Sequence, residues 1–228
     1  MPIAEVQMPN GRHRNPIVVN DLGQMAYRAA WDAQERVHQN VVAGGPETIL
    51  IVEHPPVITL GRRAESIVNL IASPEELARR NIELVHSDRG GDITFHGPGQ
   101  IVAYPIIRLA DHGLSVSGYV HRLEAIVIAT LAEIGIKSHA DPKVVGVWTD
   151  DGGHAAKICA IGVRIRRGVS LHGLALNVDI DLTSFAHIIP CGLENRAVTS
   201  IAKILGDKSP AIQTVKENLI QHLVNALG

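Results

Sequence analysis

Short runs of branched apolar residues arrive in clusters along this chain instead of alternating one for one with helical segments, and that order decides what kind of sheet it can build. Strict alternation would lay down crossover helices and a parallel, doubly wound sheet. Clustered strands joined by turns favour an α+β fold, a mixed and largely antiparallel sheet flanked by helices. Thr48–Glu53 and Val57–Leu60 are separated only by His54-Pro55-Pro56, and strand patterns follow at Ile82–His86, Asp92–Phe95 and Ile101–Arg108. After Lys143–Thr149, a turn signal at Asp150–Gly153 leads into Lys157–Arg166 and Gly168–Val178, which read as paired strands around a hairpin.

Helical spacing marks the covering layer. Leu22, Met25, Ala26, Ala29, Ala30, Ala33, Val37 and Val41 share one face of a helix from about Leu22 to Val42, stopped by Gly44-Gly45. Ser73-Pro74-Glu75-Glu76 supplies a cap, a first-turn proline and an acidic third position for a short helix. The clearest periodicity runs from Val116 through Tyr119, Val120, Leu123, Ile126, Val127 and Leu131 to Ile134, ended by Gly135. A short helix follows Asp181, and a last one starts at Ser209-Pro210 with Ile212, Val215, Leu219, Leu223 and Leu227 inward.

No repeat, low-complexity tract or linker divides the 228 residues, so one domain spanning 1–228 is expected. Aromatic residues make up only 3%, which leaves Val, Ile, Leu and Ala to fill the core and few rings for stacking nucleic-acid bases. A net charge of -2 implies no general polyanion partner, and no apolar run approaches the ~18 residues of a membrane span. Met1–Arg14 mixes charges and prolines with no apolar stretch behind it, so a cytoplasmic protein that binds neither membrane nor nucleic acid is expected. The twelve histidines are scattered without metal-ligand spacing, and no metal site is expected.

Chemistry concentrates in two places. Arg89-Gly90-Gly91-Asp92-Ile93-Thr94-Phe95-His96-Gly97-Pro98-Gly99-Gln100 packs four glycines, an arginine and a histidine between strand patterns. Such glycine density lets backbone N–H groups approach a ligand, and equally suits a hairpin with permissive turns; no nucleotide-binding glycine fingerprint is present. Cys191 lies between Pro190 and Gly192 on a turn, where a thiol can meet a substrate, whereas Cys159 lies between Ile158 and Ala160 and reads as core. A thiol with an ordinary pKa of about 8.5 needs a cation or a base to react near neutrality. Lys157 is the candidate, against the alternative of an exposed surface charge.

RGGDITFHGPGQ at Arg89–Gln100, KICAIGVRI at Lys157–Ile165, HGLALNVDIDL at His172–Leu182 and IIPCGLENRAVTS at Ile188–Ser200, with EHPPVITLGRR at Glu53–Arg63 upstream, together resemble the lipoyl(octanoyl) transferases of lipoate biosynthesis. The resemblance covers nearly the whole chain. It implies a fold similar to that of the biotin and lipoate ligases, class II synthetase-like, and a transfer of octanoyl from acyl carrier protein to a lysine. The acceptors it implies are lipoyl domains of 2-oxoacid dehydrogenase complexes and glycine cleavage H protein, with no cofactor.

Carried onto positions, the resemblance makes Cys191 the acyl-thioester nucleophile and Lys157 the group that lowers its pKa and relays protons. Arg89, Gly90, Gly91, Asp92, Ile93, Thr94, Phe95 and His96 would line the substrate site, joined by Ala160, Ile161 and Gly162 and by Gly173, Leu174 and Ala175. Cys159 departs from the family pattern, which has a small apolar residue there. Arg164 and Arg166, two apart on one strand face with Arg167 beside them, offer a dock for an acidic carrier protein or a solvated strand edge. An ATP-dependent ligase on the same fold and a non-catalytic binder of lipoyl domains or acyl chains are the rival functions.

Overall fold

A computed structural model describes residues 16–63, 66–189 and 197–228. Its main sheet runs in the order β1 (Val18–Gln24), β2 (Thr48–Glu53), β6 (Gln100–Ile106), β10 (Val169–Asn177), β9 (His154–Arg166), β8 (Val144–Asp151) and β7 (Ser138–Asp141). The two-residue β11 (Ala197–Val198) lies along the start of β9. A second sheet places β3 (Val57–Leu60) between β4 (Glu83–His86) and β5 (Thr94–His96). The pairs β1–β2, β9–β11 and β3–β4 are parallel and the others antiparallel, the mixed sheet that clustered strands require.

Both faces of the main sheet are covered, which is why β2 and β6 are apolar without alternation. Ile49, Ile51, Ile101, Ala103, Leu174 and Leu176 point to one side, where α3 (Val116–Glu133) and α5 (Ile212–Leu227) bring Leu123, Val127, Leu219 and Leu223 onto them. Leu50, Val52, Val102, Tyr104 and Ala175 point to the other side, under α1 (Tyr27–Val42) through Ala30 and Val41. The small sheet packs on α2 (Pro74–Arg79) through Ile58, Leu60 and Leu77, and its Ile93 and Phe95 join the same cluster.

Local signals account for most of the boundaries. Ser73 Oγ accepts the Glu76 N–H and Ser115 Oγ the Gly118 N–H, each starting a helix, and Gly135 leaves α3 at φ 80°. Arg167 and Gly168, both at positive φ, form the two-residue turn between β9 and β10 that right-twisted hairpins favour.

The expected start of the first helix at Leu22 is wrong, because Val18–Gln24 is a strand hydrogen-bonded to β2 and the helix begins at Tyr27. Leu22 and Met25 still pack on the α1 cluster, so apolar positions of a strand and its connection extended the helical period backwards. Strand β7 and the short helix α4 (Ile201–Leu205) are additions, and α5 starts at Ile212 instead of Ser209.

Candidate active site

On the α1 side of the main sheet a cavity of about 270 Å³ opens between β6, β9, β10 and the small sheet. Its floor is built from residues with almost no side chain. Ala175 on β10 stands between Ala160 on β9 and Val102 on β6, and the next row pairs Gly173 with Gly162. A Cβ on Gly162 would lie 2.7 Å from the Gly90 carbonyl, and Gly90 N–H in turn donates to the Val163 carbonyl. These two glycines therefore let the Arg89–Gly91 loop seat on β9 and close one wall.

Lys157 bounds the cavity as β9 emerges between β8 and β11. It is 7% exposed, its Nζ donates to the Val145 carbonyl at 3.2 Å, and the ammonium stands 4.8 Å above the Trp148 ring. Arg89, equally buried, spreads its guanidinium over the Thr59 carbonyl and hydroxyl and the Gly90 carbonyl. With all three of its guanidinium nitrogens bonded, Arg89 is held in one place.

His96 and His172 at the cavity, and His54 packed behind His96, are neutral, and their tautomers follow from their partners. Asn177 donates to the Thr199 carbonyl, which leaves its oxygen to accept from Gln100, whose own oxygen must then accept from His96 Nδ1. His96 therefore carries its proton on Nδ1, and burial, helped by His54 and Arg89, holds it well below the ordinary histidine pKa. His54 donates from Nδ1 to the Met25 carbonyl and accepts the Tyr104 hydroxyl at Nε2; burial lowers it to about 4. Burial, then Arg89 and Arg164, brings His172 to about 3, and its Nε2 donates to Asp88, whose charge Arg164 already neutralises.

Most residues expected at the substrate site line this cavity: Arg89, Gly91, Asp92, Ile93, Thr94 and His96 from the glycine-rich segment, and Ala160 to Gly162 and Gly173 to Ala175 from the sheet. Gly90 and Phe95 do not. Gly90 fastens the loop to β9, and Phe95, opposite in pleat to Thr94 and His96, packs edge-on against Phe185 at 5.5 Å. Cys159 is fully buried in the α3–α5 cluster, where burial pushes its thiol up to about 12, as a core position should. Cys191 lies outside the described residues.

Arg164 and Arg166 are engaged within the chain, Arg164 with Asp88 and Arg166 with Glu35 and His38 on α1. The residues not foreseen at the cavity include Tyr27, Val102, Tyr104, Asn177 and Val145. The spacing Gln100, Val102, Tyr104 was a usable signal, since alternate residues of one strand share a face.

With this geometry, comparison with known proteins identifies the lineage. The family model described as the lipoyl protein ligase A/B catalytic domain matches residues 26–224. The chain belongs to that family. Among lipoyl protein ligase A/B relatives, an octanoyltransferase of Chloroflexus aurantiacus is 49% identical over 209 residues, 91% of this chain and 92% of that one. An octanoyltransferase of Christiangramia forsetii is 43% identical over 219 residues, 90% and 93% of the two chains.

Solved structures show the family fold at low identity. Lipoate-protein ligase A bound with ATP superposes with a TM-score of 0.76 at 15% identity, covering 94% of this chain and 85% of that one. A bipartite lipoate protein ligase studied with its E2 lipoyl domain from Thermoplasma acidophilum gives 0.72 at 14%, covering 94% and 84%. Biotin protein ligase from Aquifex aeolicus, in complex with biotin and ATP, gives 0.54 at 14%, covering 93% and 70%. The lipoyl protein ligase A/B family thus carries here the mixed sheet flanked by helices that the motifs implied. Among the described residues no helix is long and apolar enough to cross a membrane.

Proposed function

We propose that this chain, acting as one catalytic domain, transfers an octanoyl group from acyl carrier protein through a thioester on Cys191 to the ε-amino group of a lysine on a lipoyl domain. The observation that carries the reading is a buried amine, Lys157, at a cavity floored by glycine and alanine, in a chain 41–49% identical to proteins named octanoyltransferase. A floor without side chains leaves a slot for an unbranched acyl chain. Described residues before and after 190–196 bond to residues of the cavity region. Ile189 N–H donates to Asn69, whose side chain holds the cavity residue Asp92, and Val198 pairs with Lys157.

In the first step the Cys191 thiolate attacks the carrier thioester and expels the carrier thiolate, so one thioester replaces another at nearly equal energy. In the second, the neutral lysine amine of the acceptor attacks the enzyme thioester, the Cys191 sulfur leaves, and an amide forms. Lys157 takes the Cys191 proton and stabilises the thiolate as an ammonium, gives that proton to the departing carrier thiolate, and as an amine takes the proton that the attacking acceptor nitrogen releases. The donor is acyl carrier protein. The acceptors are lipoyl domains of 2-oxoacid dehydrogenase complexes and the glycine cleavage H protein, all in the cytoplasm.

Intact-mass spectrometry after incubation with octanoyl carrier protein tests the reading. One octanoyl increment is expected on the wild type and on Cys159→Ala, and none on Cys191→Ala. The fold likeness to a lipoate ligase bound with ATP favours a second reading, an adenylating ligase. ATP-driven ligation that survives in Cys191→Ser would establish that reading and refute the thioester route.

A further inference from the structure

Strand β8 departs from regular pairing between Val144 and Trp148: its register shifts against β7 at Ala140/Asp141 and against β9 at Val147/Trp148. Within this bulge Gly146 sits at φ 127°, and a Cβ there would lie 2.7 Å from the Cys159 carbonyl oxygen, so only glycine fits. Its N–H donates to a side chain. The acceptor is Oε1 of Glu124, at 3.1 Å, reaching through from α3 on the face of the sheet opposite the cavity. Glu124 is 3% exposed among Leu123, Ile126 and Val127, and its second oxygen accepts from His121.

A carboxylate in such surroundings is costly unless it is fully hydrogen-bonded, and α3 does not need it in order to pack. The group it holds explains its presence. Gly146 N–H and the Val145 carbonyl belong to one peptide unit, which is planar and trans, so its N–H and C=O point in opposite directions. Fixing the N–H on Glu124 aims the carbonyl at Lys157, whose Nζ it accepts at 3.2 Å. With glycine on its C-terminal side this unit could rotate at little steric cost, and rotation would turn an N–H towards the ammonium.

We infer that Glu124 is a positioning residue for Lys157, acting across the sheet through the Val145–Gly146 peptide. The inference rests on the role proposed for Lys157. Turnover of octanoyl carrier protein and a lipoyl domain is measured for E124A, E124Q, K157A and the double variant E124A/K157A, with thermal unfolding as a control. E124A is expected to lose kcat about 10–100-fold with KM within about twofold, as displaced catalytic groups do. E124Q, whose amide oxygen still accepts the Gly146 N–H, returns to within about threefold of wild type, and the double variant is no slower than K157A.

Wild-type kcat in E124A beside an inactive K157A overturns the positioning role alone. So does an E124Q as slow as E124A, or a double variant in which the losses add. Full activity in K157A defeats the underlying role of Lys157, and the inference with it.

Discussion

The floor of the cavity makes a quantitative test of what it holds. Ala175 lies in its middle, 3% exposed, between Ala160 and Val102, with its side chain on the α1 side of the sheet. Ala175→Leu adds three carbons at that point, on the lining of a space of about 270 Å³. If the space receives the acyl chain, the substitution displaces about three methylenes, at about 0.8 kcal/mol each. The loss of about 2.4 kcal/mol corresponds to a kcat/KM about 60-fold lower for an octanoyl donor.

A donor shorter by three carbons should be used about as well by the variant as by the wild type, so chain-length preference shifts while chemistry does not. The assay is kcat/KM for pentanoyl and octanoyl carrier proteins on both proteins. Thermal unfolding checks that the floor has not been overpacked; an overpacked core would cost about 1–3 kcal/mol, or roughly 2–12 °C at about 2–4 °C per kcal/mol. An equal fall with both donors would refute the slot, because it would mean the leucine had disturbed the catalytic groups and not the chain. So would unchanged kinetics with octanoyl.

Further outcomes follow from the same geometry. In the folded protein at pH 8, iodoacetamide should leave Cys159 unmodified, since its thiol is buried and pushed up to about 12; alkylation as fast as in urea would contradict that burial. Reversing Arg164 and Arg166 to Glu should break the pairs with Asp88 and Glu35 and cost on the order of 1 kcal/mol each, seen as a lower Tm. An unchanged Tm at low salt would mean that neither pair contributes. His54, near 4 when folded against an ordinary 6.5, leaves the unfolded chain as the better proton acceptor between those values. Stability is therefore full above pH 6.5 and lost as pH falls towards 4, by about 2 kcal/mol from this group at pH 5. Urea unfolding of His54→Gln should show a shallower pH dependence than wild type; equal slopes would remove His54 from the account.

What could be read from the residues alone divides along a physical line. The α3 helix, the Ser73 cap and the β9–β10 hairpin depend on neighbours in sequence, and there periodicity and turn chemistry sufficed. Strand β1 depends on pairing with β2 across an intervening helix, and no local pattern separates its Leu22 from a helical apolar position. The same distinction runs through the site. Lys157, Arg89 and the small residues were legible because they lie inside motifs, whereas Tyr27 and Val145 reach the cavity through the packing of α1 and the β8 bulge. Arg164 and Arg166 were placed on one strand face as expected, but their partners, Asp88 and Glu35, are distant in sequence, and only the fold turns a basic edge into ion pairs.

The electrostatics of the cavity wall bear on how its chemistry can be assigned. Burial first, and then neighbouring groups that include Arg89, disfavour a protonated His96 or His172, so both are held neutral. Tyr27 and Tyr104 are raised by the same burial, so neither gives up its proton near neutrality. The aromatic and imidazole wall thus keeps one charge state from about pH 5 to pH 9, and a limb in the turnover profile within that window arises elsewhere. His54→Gln should therefore move the stability curve with pH and leave the midpoints of the kcat profile in place. A shift of those midpoints by more than about half a pH unit would mean that the wall itself takes part in proton transfer.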